Sequence, residues 1–268
     1  MPRQHQNHIA EGRVLVASFL VLNVIAAAAD IIAGGSDGMT MRALPFNATV
    51  TVADTTIDSV PAVGVSLIVQ LLYIAFGTLL FKTYQDRQAQ GRVFYAFTCL
   101  GIASLFFVQI VFFVPVMWLL MGRNMMALTP RMVVASLLGI ALPYWIALAY
   151  FVAVADPEPL VQHLAALGYF GRVADFTAVT LSLPAVSSTV LFILLTVIAA
   201  LCTAHYLNNS YKDNINVRMR IEMTVSATLA TVIFCVLQPQ HLYALTGMMT
   251  VTTSTLIAHY TTLHGSTR

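Results

Sequence analysis

Long blocks of apolar residues with almost no charge, separated by short polar segments, make up most of this chain. Charged residues are 9% of its 268 residues and hydrophobic residues are 59%, whereas a soluble domain carries roughly 25% charged residues. Each block is about twenty residues long, which at about 1.5 Å per residue matches the ~30 Å hydrocarbon core of a bilayer. Runs such as 191–201 show none of the apolar–polar alternation of transmembrane strands. We therefore expect an all-α, polytopic transmembrane helix bundle.

The blocks predict eight transmembrane helices in a single integral membrane domain that covers residues 1–268. Helix-breaking clusters follow the first block at Gly34-Gly35 and the fourth at Asp156-Pro157. The third block is longer than a bilayer requires, so we expect it to tilt or to bend near Pro115. The approximate limits of the predicted spans are 14–34, 62–81, 93–121, 132–154, 160–183, 185–207, 221–238 and 242–263.

Residues 35–61 form the longest polar connection and are predicted to be an outer loop. The part from 48 to 56 is rich in valine and threonine, which favours a short strand or hairpin. Asn47-Ala48-Thr49 fits the glycosylation acceptor pattern, so Asn47 is a candidate glycosylation site if the loop faces outward.

The segment 160–183 decides the topology, because it is apolar but contains charges. It either spans the membrane or lies flat as an interfacial amphipathic helix, which gives seven spans. If it spans, the loops on the side of the N-terminus hold most of the lysines and arginines, and the opposite loops hold only Arg42, Arg123 and Arg131. The positive-inside rule then favours eight spans with both termini cytoplasmic.

Arg172, Asp175 and Glu222 are the candidate residues of an internal polar path. Arg172 and Asp175 are three residues apart, so they share a helical face and neutralise each other if they span the membrane. Ionisable residues at membrane depth are costly and usually serve a function. A structural ion pair is the alternative for Arg172 and Asp175, and an interfacial charge cluster with Arg218 and Arg220 is the alternative for Glu222.

Several classes of function are not favoured by the sequence. No basic stripe suited to nucleic acid occurs, and no motif of a known catalytic site is present, so we expect no enzyme and no cofactor. His205, His241 and His259 do not share the i, i+4 spacing of a metal-binding helix face, so no metal site is predicted. The three cysteines lie in apolar blocks, where we expect free thiols.

Two families resemble this chain in layout. The layout resembles that of the heliorhodopsins in three respects: the cytoplasmic start, the extended first outer loop and Glu222 at the start of span seven. The only lysines, Lys82 and Lys212, both lie in predicted loops. The resemblance therefore implies at most a bundle that lacks a retinal-binding lysine. Eight spans and an outer loop with a glycosylation sequence also resemble the herpesvirus envelope glycoprotein M, without the cysteine of that loop.

The sequence therefore predicts a multi-pass membrane protein that moves a small solute or ion. The alternative is a non-catalytic subunit or receptor-like scaffold of a membrane complex, because few charges and many packing residues suit that role equally well. The expected partners are the lipid bilayer and other membrane proteins or further copies of this chain.

Overall fold

The structure is a computed structural model that describes residues 59–86, 88–155, 157–168, 183–209, 215–238 and 242–265. All regular structure in these ranges is helical, and no strand occurs in them. The predicted first span, the predicted strand or hairpin, Asn47, Arg172 and Asp175 lie outside the described residues.

The helices are numbered here in chain order. They are α1 (Ser59–Phe81), α2 (Gln90–Phe106), α3 (Phe113–Arg123), α4 (Pro130–Val154), α5 (Glu158–Ala165), α6 (Leu183–Asn209), α7 (Ile215–Leu237) and α8 (Leu242–Gly265). Two 3-10 helices follow α2 and α5, at Val108–Phe112 and Ala166–Gly168. The chain divides into two compact units: unit 1 is Met1–Gly35 with Val173–Arg268, and unit 2 is Ser36–Arg172.

Three stretches in the described part of the chain are long and apolar enough to cross a membrane. They are Pro130–Val154, Thr189–Asn209 and Ile215–Leu237. Shorter apolar helical stretches occur at Leu67–Phe81 and Val108–Arg123. The prediction of an all-α chain is thus confirmed for the described residues, and part of it has the length and composition of membrane spans.

Residues 93–121 were predicted to form one span, but the structure divides them. α2 ends at Phe106, and Phe107 is extended with φ −142° and ψ 92° before the 3-10 turn that leads into α3. Pro115 has no N–H, and its ring crowds the carbonyl four residues earlier, so it fits best in the first turn of a new helix. The interruption therefore precedes the proline, where we expected only a tilt or a bend.

α3 runs back toward the end of unit 2 at which α2 begins. The backbone N–H of Gln85, just before α2, donates a hydrogen bond of 3.2 Å to the carbonyl of Met125, just after α3. Trp118 Nε1 donates to Ser136 Oγ at 2.9 Å and so ties α3 to the first half of α4. α2 and the stretch Val108–Arg123 are therefore antiparallel segments.

α2 and α4 run parallel and touch through their backbones at two glycines. A Cβ atom on Gly139 would lie 2.5 Å from the carbonyl oxygen of Phe94, and one on Gly101 would lie 2.9 Å from that of Ile140. Only a residue without a side chain permits this approach. Beside the contact, the buried rings of Phe97 and Phe76 meet edge to face at 5.4 Å.

In unit 1, α8 packs against both α6 and α7. The Tyr206 hydroxyl, near the end of α6, donates to the carbonyl of Arg218 near the start of α7 at 3.2 Å. The Tyr206 ring also meets the ring of His259 near the end of α8, at 5.7 Å. These contacts join the last turns of α6 and α8 to the first turn of α7, so α7 is antiparallel to both.

Candidate functional site: the buried polar face of α7

One face of α7 is buried, and it mixes threonines with apolar side chains. The buried residues of α7, with Gln238 directly after it, are Ile221, Met223, Thr224, Ala227, Thr228, Thr231, Cys235 and Gln238. The polar ones, Thr224, Thr228, Thr231 and Gln238, are spaced by four, three and seven residues, which places them in one stripe along the helix. The opposite face exposes large apolar side chains, with Leu229 60% and Ile233 52% accessible. The polar side chains of α7 are thus buried, while large apolar side chains are exposed on its other face.

The threonines of this face are tolerated inside a helix because each hydroxyl bonds to its own helix. Thr224 Oγ1 donates to the carbonyl of Arg220 at 3.0 Å, and Thr228 and Thr231 donate to the carbonyls four residues earlier at 2.8 Å. Such bonds satisfy the hydroxyl proton without a second helix. They leave the oxygen lone pairs as hydrogen-bond acceptors.

Two buried polar side chains of unit 1 have no hydrogen-bond partner in the described part of the chain. Both amide atoms of Gln238, which follows the last turn of α7, are unpaired, and so is Oγ1 of Thr253 on α8. Gln238 is 2% accessible and Thr253 is fully buried. An unpaired buried polar group costs free energy, so each one needs an explanation.

α8 supplies further buried hydroxyls. Every residue from Ala244 to Thr250 is buried, and so are Thr252, Thr253 and Ser254. The hydroxyls of Thr250 and Thr252 donate to carbonyls three residues earlier, at 2.7 and 3.1 Å. No Asp, Glu, Lys or Arg occurs in the sequence from 223 to 265.

Charges lie only at the start of α7. Arg218 Nε donates to Glu222 Oε1 at 3.0 Å, and both side chains are at least one-third exposed. Such an exposed pair contributes little to stability. Glu222, a predicted member of a polar path, therefore sits in an ion pair two residues before the first buried threonine, Thr224.

Unit 2 contains a second polar cluster, where α2 is interrupted. The break frees the Ser104 carbonyl from helical bonding, and His163 Nε2 of α5 lies 3.0 Å from it. Ser104 Oγ is 2.9 Å from the Tyr144 hydroxyl on α4.

α5 is an eight-residue helix, too short to cross a membrane. Burial lowers the pKa of His163, and the Ser104 carbonyl offsets part of that shift.

The structure gives His205 and His259 packing roles at one end of unit 1, whereas His241 lies outside the described residues. The His205 ring lies 4.6 Å from that of Tyr260, and His259 packs on Tyr206. Within the described ranges, no group of three or more His, Cys, Asp or Glu side chains is placed to hold a metal ion. Cys99, Cys202 and Cys235 are free thiols.

The buried face of α7 was not predicted, although the spacing of its polar residues in the sequence indicates it. Thr224, Thr231 and Gln238 are spaced seven residues apart inside an otherwise apolar block. Polar residues at a regular heptad spacing in a predicted span indicate a helix face that does not contact lipid.

Comparison of the chain with protein-family models, with curated proteins and with solved structures gave no match.

Proposed function

We propose that this chain is a multi-pass membrane protein that moves a small solute or ion along an internal polar path in unit 1. The observation that carries the proposal is the polarity of α7, which buries threonines and Gln238 and exposes large apolar side chains. Lipid favours an apolar exterior, and polar residues within membrane proteins commonly line solute pathways.

The distribution of charge supports a topology for unit 2. The end at which Gln85 bonds to Met125 carries the basic residues that the structure describes in α1 to α5 and their connections: Lys82, Arg92, Arg123 and Arg131. No lysine or arginine occurs in 43–81, 93–122 or 132–171. By the positive-inside rule this end is cytoplasmic.

The resulting arrangement keeps the predicted eight spans and cytoplasmic termini but assigns two of the spans differently. The third predicted span becomes two crossings, α2 and Val108–Arg123, and 160–183 stays on the outer side, with α5 at the interface. The other six spans are the predicted span 14–34 and the helices α1, α4, α6, α7 and α8. Every lysine and arginine except Arg42 and Arg172 falls on the cytoplasmic side.

Cysteine accessibility in intact cells tests this topology. Single cysteines at Gln88, Leu128 and Glu158 are introduced into a chain whose three native cysteines are replaced by alanine. We expect an impermeant thiol reagent to label only the cysteine at position 158. Labelling at 128 without labelling at 88 would restore the single span over 93–121.

Glu222, Arg172 and Asp175 have different positions in this proposal. Glu222 stands at the cytoplasmic end of the α7 face, where its pairing with Arg218 keeps it from presenting a free charge. Arg172 and Asp175 lie outside the described residues, so their part in the path stays a prediction.

Flux into vesicles tests the proposed function. The purified chain is reconstituted into liposomes, and the entry of small solutes and of potassium is compared with that of protein-free vesicles. We expect faster entry of at least one solute or ion, and a lower rate after Arg172→Gln and Asp175→Asn are combined. Permeability no higher than that of protein-free vesicles would contradict transport and favour a subunit of a membrane assembly.

A further inference from the structure

The buried face of α7 offers mainly hydrogen-bond acceptors. The hydroxyl protons of Thr224, Thr228 and Thr231 are used within the helix, so only their lone pairs are available to a ligand. A ligand for such a face must bring its own O–H or N–H donors.

Gln238 and Thr253 extend this face and need a partner. Gln238 is seven residues beyond Thr231 and thus on the same side of the helix. Thr253 and Thr228 both lie about 15 Å along their helices from the α7–α8 connection, so antiparallel packing brings them to the same level. The Gln238 amide supplies one donor group and one acceptor, both unpaired.

In the described parts of α6, α7 and α8, charged side chains are confined to the first turns of α7. The sequences 176–211 and 223–265, which contain most of α6, α7 and α8, have no Asp, Glu, Lys or Arg. Moving an ion away from water without an opposite charge is very costly, whereas a neutral polar solute needs only matched hydrogen bonds.

We propose that Thr224, Thr228, Thr231, Thr253 and Gln238 bind a small neutral solute that carries several O–H or N–H donors and at least one acceptor. Urea and short polyols such as glycerol have this chemistry. The threonine oxygens accept from the donors of the solute, and the Gln238 amide satisfies its acceptor. The inference rests on the proposed transport function and narrows its substrate class to neutral solutes.

Osmotic swelling of proteoliposomes tests the inference with urea, glycerol and, as the ionic arm, potassium chloride. We expect the wild-type chain to speed the entry of urea or glycerol and not that of potassium. Thr231→Val removes a hydroxyl at nearly constant shape, and Gln238→Leu removes the amide. Each should slow entry by about three- to tenfold, the equivalent of one hydrogen bond.

The matched control is Thr261→Val, because the Thr261 hydroxyl bonds to the carbonyl of Ala258 in the same way but is exposed. It should leave entry unchanged. Thr231→Ser keeps the hydroxyl and should keep the wild-type rate. Slow entry in both Thr231→Val and Thr231→Ser would mean that the loss comes from a change of structure and not from the missing hydroxyl. Thr228→Val and Thr228→Ser repeat the test one turn away if the first pair does not fold.

The outcomes separate this inference from the proposed function. Potassium entry without urea or glycerol entry overturns the neutral-solute class and leaves transport standing. Urea or glycerol entry that Thr231→Val, Gln238→Leu and Thr228→Val all leave unchanged overturns the binding site on α7 and also leaves transport standing. A wild-type chain that speeds no entry at all overturns both proposals.

Discussion

Both units of this chain have a hydrophobic core, but they differ in the size of the apolar side chains and in the number of threonines that they bury. Unit 2 buries large apolar side chains: Phe76, Phe97, Phe113, Met117 and Met121 are almost completely inaccessible. Unit 1 buries threonines along α7 and α8, and the threonine hydroxyls of α7 bond within their own helix. The difference indicates that close packing is the main requirement in unit 2, whereas unit 1 retains hydrogen-bonding capacity beyond what its own helices use.

This contrast predicts different responses to substitution. Removing volume or adding a methyl group should destabilise unit 2 strongly. Removing a hydroxyl from unit 1 should change solute entry more than stability. Four substitutions test the contrast through reversible unfolding in mixed micelles, from the largest expected loss of stability to the smallest.

Phe97→Ala should lower the free energy of unfolding by about 3–5 kcal/mol, because a fully buried ring leaves a cavity in a close-packed core. Phe97 also loses its edge-to-face contact with Phe76. Tyr95→Ala on the same helix is the control, since Tyr95 is 62% exposed. Equal losses for the two variants would mean that the core of unit 2 is not close-packed.

Gly139→Ala should cost about 1–3 kcal/mol, because the added methyl group overlaps the backbone of α2 and must push the helices apart. Gly77→Ala is the matched control, since no atom outside its own helix lies within 4 Å of the added Cβ. Alanine should stabilise position 77 by up to about 1 kcal/mol through its higher helix propensity. A neutral Gly139→Ala would contradict the backbone contact of α2 and α4.

Tyr144→Phe should cost about 1 kcal/mol through loss of the hydrogen bond between its hydroxyl and Ser104 Oγ. Tyr150→Phe on the same helix should have no effect, because Tyr150 is 55% exposed. If both variants unfold like the wild type, the cluster at the end of α2 does not stabilise unit 2.

Thr228→Val should cost about 0.6 kcal/mol or less, because its bond stays within one helix and membrane hydrogen bonds contribute little. Thr98→Val removes the same kind of bond in unit 2, where Thr98 Oγ1 donates to the carbonyl of Phe94 at 2.9 Å. The two costs should be similar. A much larger loss at Thr228 would show that its oxygen already has a partner on another helix and is not open to a ligand.

The sequence predicted the helical class and several helix limits because these depend on local composition. α4 begins at Pro130, capped by the Thr129 side chain, and ends at Val154 before the proline-rich break. The direction of α3 could not be predicted in this way. It depends on contacts between residues far apart in sequence, such as the bonds of Gln85 to Met125 and of Trp118 to Ser136. A pattern of apolar residues along the sequence does not predict such contacts.

The candidate site shows the same limit. Arg172, Asp175 and Glu222 were predicted because a charged residue in an apolar chain is a strong local signal of function. The buried face of α7 consists of threonines, which are common in this sequence and carry no charge. Only burial separates Thr228 from exposed threonines such as Thr261, and burial depends on how the helices pack.

The return of α3 has a consequence for biosynthesis in the proposed arrangement. The apolar residues 93–122 are followed directly by Arg123, and Arg131 precedes the next crossing. A single crossing by 93–121 would carry both arginines through the bilayer to the far side. Entry as a hairpin, with its turn at Phe107 leading, leaves both on the side where the ribosome works, so insertion of this region translocates no cation.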